Sequence, residues 1–253
     1  PVLREVFGDA VDALLGRTAT QLQGYWTHGL RAAAERRSAA CFDGAHALRV
    51  PALREQPEVW QMHIVQQALE TLTAGEAAGG THSAAVLGLL EAQVGRQVPV
   101  GQGAVWRERA HLVFAASPAP GAPVAVPLAG GGQVQVPGGT LAVEMESKPA
   151  RFSPDPDPSV LTADARYVER PLVLRPWRPG DRFQPLGMTG HKNVSDVLTD
   201  AQVPSHLRSA VYVLTSGSEI IWVVGHRMAD FVKVTEATRD IVRFVWRHHS
   251  SDL

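Results

Sequence analysis

Arg175, Arg178, Arg182 and Lys192 crowd around a Pro179-Gly180-Asp181 turn, and Arg208 follows downstream. These residue types suit the binding of phosphate. A guanidinium presents a planar fork of donors that matches two phosphate oxygens, and an ammonium adds a point charge. From Arg166 to Lys192, six Arg or Lys stand against two acids, Glu169 and Asp181, while the whole chain carries −1. The charge is therefore a local device and not a bulk property. Pro179 presets φ, Gly180 allows positive φ, and Asp181 can bond nearby backbone, so the turn sends Arg178 and Arg182 to a common rim. An alternative reads Asp181 as the partner of Arg178 or Arg182 in a surface ion-pair network. Charge alone does not separate the two.

Other chemistry finds little support. Gly187-Met188-Thr189-Gly190-His191-Lys192 has glycines and a lysine, but at the wrong spacing for a phosphate loop. No Gly-x-Ser-x-Gly elbow and no His-Glu-x-x-His pair occurs. Gly130-Gly131-Gly132 reads as a turn between strands. His248-His249 reads as a polar tail, not a metal site. A self-contained enzyme using His226 and Asp230 carries little weight.

The elements that position the basic segment follow from periodicity. At 253 residues the chain has room for two domains. Apolar residues recur at helical spacing from Val2 to Ala40 (Val2, Leu3, Val6, Val11, Leu14, Leu15, Leu22, Tyr25, Trp26, Leu30), which predicts a stripe packed on a core. Arg31, Arg36 and Arg37 read as a solvated face. A second helix is expected over 58–73, with Pro57 in its first turn and Val59, Met62, Val65, Gln66 and Leu69 inward. A third is expected over 82–94, with Ala85, Val86, Leu89 and Leu90 inward. A small hairpin over 98–115 closes this unit. Three prolines and a glycine between Ser117 and Pro123 mark a linker.

Short strands follow at 124–128, 133–136 and 140–146, the last two with a two-residue period. An irregular loop is expected at 151–158, strands at 171–177, 219–224 and 239–246, and a short helix at 193–200 with Ser195 as its N-cap. The expected architecture is α+β: a helical domain over 1–116 with a small hairpin, a linker over 117–123, and a mixed domain over 124–253 with a short-stranded sheet. No apolar run approaches the roughly 20 residues that span a bilayer. The single cysteine, Cys41, allows no internal disulfide and fits a reducing cytoplasm. The first residue is Pro1, not Met, which fits a processed product or a piece of a longer protein.

Spacing makes the basic segment recognisable. Leu174 to Met188 (LRPWRPGDRFQPLGM), Gly190 to Asp200 (GHKNVSDVLTD), Val203-Pro204, Arg208 and the strand Ile220 to Gly225 resemble the C-terminal domain of tRNA(Ile)-lysidine synthetases. The helical unit and Val98 through Phe114 resemble the middle domain of that family, more weakly. The family uses ATP to attach lysine to C2 of the wobble cytidine of an isoleucine tRNA. Its catalytic Ser-Gly-Gly-x-Asp-Ser loop does not occur in this sequence.

The resemblance thus implies the tRNA-binding portion of a ligase, acting in tRNA modification in the cytoplasm. ATP, Mg and L-lysine would belong to an N-terminal domain, with no catalytic residue and no cofactor in this chain. It implies tRNA(Ile) as partner, held through Arg175, Arg178, Arg182, His191, Lys192 and Arg208. His191 stands where the family often has a second lysine, and a histidine's charge depends on pH. Trp177 and Phe183 are expected to pack beneath the turn. The competing reading is a structural or dimerisation module with no RNA affinity.

Overall fold

The computed structural model describes residues 10–25, 30–72, 80–116, 121–128, 131–168 and 171–249. Val2, Leu3, Val6, Trp26, Thr73, Gly130 and most of the expected linker lie outside these. The chain divides into two compact units, Pro1–Ser117 and Pro118–Leu253. Among the described residues, no helix is long and apolar enough to cross a membrane.

The first unit has helices at Ala10–Tyr25, Arg31–Cys41, Val50–Arg54, Glu58–Leu72 and Gly80–Gly88, the last running into a 3-10 turn at Leu89–Glu91. Its strands are β1 (Ala47–Arg49), β2 (Gln97–Val100), β3 (Gly103–Arg107) and β4 (His111–Ala116). They form an antiparallel sheet in the order β1-β4-β3-β2, larger than the expected hairpin because β1 joins the edge of β4. Leu48, Leu53, Ile64, Leu69, Val86 and Leu112 are buried in one core with Cys41.

Two faces differ from expectation. In the helix Glu58–Leu72, Val59 is 79% exposed and Gln66 is exposed, while Ile64, Val65, Ala68 and Leu69 are buried. Apolar residues occur nearly all round this helix, so packing and not periodicity selects the inward stripe. Arg37 bonds Gln56 and sits 5.4 Å from the Trp60 ring, which keeps that side of the helix at the surface. In the helix Ala10–Tyr25, the stripe expected to pack is exposed: Leu14, Leu15, Leu22 and Tyr25 all exceed half exposure. Further along, Val86, Leu89 and Leu90 are buried as expected, but Ala85 is exposed.

The second unit is built from short antiparallel strands: β5 (Val124–Ala125), β6 (Gly132–Val136), β7 (Gly139–Ser147), β8 (Val160–Asp164), β9 (Leu172–Pro176), β10 (Arg182–Phe183), β11 (Lys192–Asn193), β12 (Tyr212–Ser216), β13 (Glu219–Val223), β14 (Arg227–Met228) and β15 (Asp240–His248). One sheet runs β14-β13-β12-β9-β5, a second β6-β7-β15-β8, and β10-β11 stand as a hairpin. Side chains from both large sheets meet in one core, among them Leu141, Leu161, Leu174, Leu214, Trp222 and Phe244. Strands β8 and β12 were not anticipated. β12 is buried along its whole length and lies between β9 and β13 at the centre of its sheet. His248 ends β15 instead of fraying, and the His249 ring bonds Thr140 at 2.8 Å.

Three polar ties fix this unit. The Asp164 carboxylate is fully buried. It accepts from the Arg166 N–H at 3.0 Å, from the Arg166 guanidinium at 2.7 Å and from Thr238 Oγ1 at 2.6 Å. Lys148 donates to the Thr235 carbonyl at 2.8 Å. The helix Val194–Asp200 ends in a paired closure: Val203 N–H bonds Leu198 O at 2.9 Å and Gln202 N–H bonds Thr199 O at 3.0 Å. That is a Schellman ending, and Gln202 takes the left-handed position normally given to glycine, at φ 55°. Replacing Gln202 by Gly is expected to stabilise the unit by about 0.5–1 kcal/mol, because a Cβ is disfavoured in that conformation. Urea denaturation of the variant checks this, and an unchanged or lower midpoint refutes it.

Candidate nucleic-acid interface

The turn after β9 is set by local chemistry. Asp181 N–H bonds Arg178 O at 3.0 Å, and Gly180 lies at φ 90° behind Pro179. Proline second and a positive-φ glycine third make a type II turn. The Asp181 side chain locks it by accepting from the Arg178 N–H at 2.7 Å. The same carboxylate takes both ends of the Arg175 fork, at 2.8 and 2.9 Å. Burial opposes ionisation of Asp181, but Arg175 and the Arg178 N–H outweigh it and hold the carboxyl below its ordinary value. Asp181 O also receives the Val194 N–H at 2.9 Å, which joins the turn to the start of the next helix.

The parity of the β10-β11 hairpin then sorts the side chains. Arg182 stands opposite Asn193, and Phe183 opposite Lys192. Alternate residues of a strand face opposite ways. Phe183 is buried at 2% exposure, so Arg182 and Asn193 take the outer face. Lys192 falls on the inner side and pairs with Asp200 of the helix behind it.

The expected contact residues therefore divide. Arg178, Arg182 and His191 are exposed, and among the described residues none of their side chains is held by a hydrogen bond or ion pair. Arg175, Lys192 and Arg208 are half-buried and engaged within the unit. Arg175 is spent on Asp181, Lys192 on Asp200, and Arg208 Nε donates to Val203 O at 3.0 Å. The partner of Asp181 is Arg175, not the Arg178 or Arg182 side chain of the surface-network reading. Trp177 packs on the core, and its indole N–H donates to Arg208 O at 2.6 Å. The Trp177 and Phe183 side chains thus support the turn from below. Asn193, not Ser195, holds the N-cap position of the following helix, and no side chain caps it.

Sequence reasoning missed the far side of the hairpin. Its loop, 184–191, is tied to the segment 228–230. Leu186 N–H bonds Met228 O at 2.9 Å, Asp230 N–H bonds Gln184 O at 2.9 Å, and Pro185 bridges Ala229. Asp230 accepts from Gly187 N–H at 3.0 Å and from Lys233 at 2.8 Å. The Lys233 hydrogen bond, then that of Gly187, lowers its carboxyl below the ordinary value. Asp230 is thus a loop anchor. His226, the other member of the expected self-contained site, is held below its ordinary value by burial and then by His248. The tie between Gly187 and Asp230 crosses 43 residues and leaves no local signal.

Residues 172–246, which include the turn, the hairpin and its anchor, match the family model of the TilS substrate C-terminal domain. This segment belongs to the TilS C-terminal domain family. Curated relatives carry the name tRNA(Ile)-lysidine synthase. The Geobacter sulfurreducens protein is 35% identical over 113 residues, which is 45% of this chain and 22% of that protein. The Symbiobacterium thermophilum protein is 29% identical over 98% of this chain and 55% of its own length. The chain thus spans about half the length of the latter. A crystal structure of a TilS C-terminal domain aligns with a TM-score of 0.46 at 20% identity, covering 52% of this chain and 99% of that one. Within the TilS C-terminal segment, the fixed turn, the outward Arg182 and the anchored loop are the features that could meet a ligand.

Proposed function

We propose that this chain is the tRNA-recognition part of a tRNA(Ile)-lysidine synthase, with Arg178, Arg182 and His191 gripping backbone phosphates of the tRNA. The observation that carries the reading is that these three side chains, two of them guanidiniums, stand exposed and unspent on a turn and hairpin whose other charges are internally paired. A double-stranded RNA stem is recognised through shape and backbone rather than base edges. Guanidinium forks carried on a fixed turn suit that task, since the planar fork is itself preorganised and loses less freedom per hydrogen bond formed. Arg175, Lys192 and Arg208 act one step back: they hold the turn, the hairpin and the 203–208 segment in place.

In this reading the lysine attachment at C2 of the wobble cytidine, driven by ATP, belongs to a catalytic loop of the Ser-Gly-Gly-x-Asp-Ser kind. No such loop occurs in this sequence, and no residue here is assigned to ATP, magnesium or lysine. Filter binding of transcribed tRNA(Ile) to the chain across a salt series tests the proposal. Binding that weakens steeply with salt is expected. A chain that leaves tRNA free at low salt would rule the reading out and favour the dimerisation module.

A further inference from the structure

We propose that the loop 184–191 and Phe231 form a seat for an unpaired nucleotide at the end of the RNA helix held by the Arg178–Arg182 rim. This inference rests on the RNA reading above. Leu186, Met188 and Phe231 are 41, 43 and 40% exposed. They do not sit on a loose tip. Gln184 Nε2 bonds Met188 O at 2.6 Å, Met188 N–H bonds Pro185 O at 3.0 Å, and Leu186 N–H reaches Met228 O. Asp230, the neighbour of Phe231, bonds the N–H of Gly187, which lies between Leu186 and Met188. Leu186 and Met188 thus lie in an anchored loop, and Phe231 directly follows the residue that anchors it, Asp230.

The flanking charge selects the occupant. The hairpin enters the loop from the exposed guanidinium of Arg182 and leaves it through the exposed His191. The Asp230 carboxylate is occupied by Lys233 and Gly187. The patch is therefore bordered by the unpaired charge of Arg182, which favours a polyanion with apolar faces. Within a paired RNA helix every base face except the outer face of the terminal pair is covered by its neighbours, whereas an unpaired nucleotide can turn its face to the protein. Its ring can lie on Phe231, with Met188 and Leu186 against its edge, while its phosphate continues the backbone path along Arg182. Stacking of this kind tolerates any base, because each has a π face.

The test uses the full chain and two RNA hairpins that share one stem, one with an unpaired 3′ tail and one blunt. Tailed RNA is expected to bind the wild type about tenfold more tightly than blunt RNA. Phe231→Ala should abolish that difference and leave blunt binding unchanged, and Phe231→Tyr should restore it. Thermal melting of each variant reports whether it folds, and Met188→Ser gives a second reading of the same patch. Equal binding of the two RNAs by the wild type, with affinity still dependent on Arg178 and Arg182, overturns the seat and leaves the proposed function standing. Failure to bind either RNA overturns both. A wild type that dimerises in light scattering, with Phe231→Ala monomeric, makes the patch a self-contact and overturns the seat.

Discussion

Replacing Arg178 and Arg182 together by alanine is expected to flatten the salt dependence of tRNA binding by about two units of the log–log slope. Each phosphate neutralised on a nucleic-acid duplex releases counterions worth about 0.9 of a unit, and the variant removes two such contacts. Between about 50 and 200 mM salt, the wild type should therefore lose about tenfold more affinity than the variant. The turn itself should survive, because its hydrogen bonds run through Asp181, Arg175 and the backbone of residue 178, none of which needs the removed guanidiniums. Arg175→Ala supplies the contrast. It strips a half-buried carboxylate of its bidentate partner and should cost about 1–3 kcal/mol of stability before any RNA is added. If the double variant keeps the full slope, Arg178 and Arg182 are not the phosphate contacts.

Asp164→Ala is expected to cost the second unit about 2–3 kcal/mol. The carboxylate is wholly buried, and its removal leaves Thr238 Oγ1 and the Arg166 N–H without their acceptor. The Arg166 hydrogen bond, against the opposing effect of burial and with help from Thr238, lowers the carboxyl from 3.8 to about 2. A carboxyl depressed in the folded state stabilises it above the unfolded value and loses that contribution as pH falls toward the folded value. The window therefore runs from about pH 5 down to pH 2. Because Arg166 is 54% exposed, solvent screening reduces the contribution to about 1–2 kcal/mol. Asp164→Asn keeps the shape without the charge, so its stability should fall less over that window. Urea midpoints measured at a series of pH values decide it: an identical acid limb in the Asn variant removes Asp164 as the cause.

What the sequence made legible was local. The turn at 178–181 could be read because Pro179 and Gly180 impose their own dihedrals, whatever surrounds them. The helix at 58–72 could be placed but not oriented, since its apolar residues leave more than one stripe available. The helix at 10–25 shows the same limit in sharper form. Periodicity says that Leu14, Leu15 and Leu22 share a side, but nothing in it says what covers that side.

At the candidate interface, the decisive fact was strand parity. Arg182 and Lys192 look alike in a charge count, but a hairpin with two residues per strand sends one outward and the other toward Asp200. A strand that short carries no readable alternation. The Asp164–Thr238 and Asp230–Gly187 ties join residues 74 and 43 positions apart, and only the folded chain brings them together.

The lysines carry a consequence of their own. The chain has three, and each is a tether: Lys148 to the Thr235 carbonyl, Lys192 to Asp200 and Lys233 to Asp230. Acylation is the common chemical means of erasing positive charge from a nucleic-acid-binding surface, and it acts on amines. Here it would unfasten three struts of the second unit and leave the guanidiniums of Arg178 and Arg182 fully charged. The exposed arginines are out of reach of amine chemistry. Arginine methylation, which preserves charge but blocks a forked hydrogen bond, is the modification that would address them.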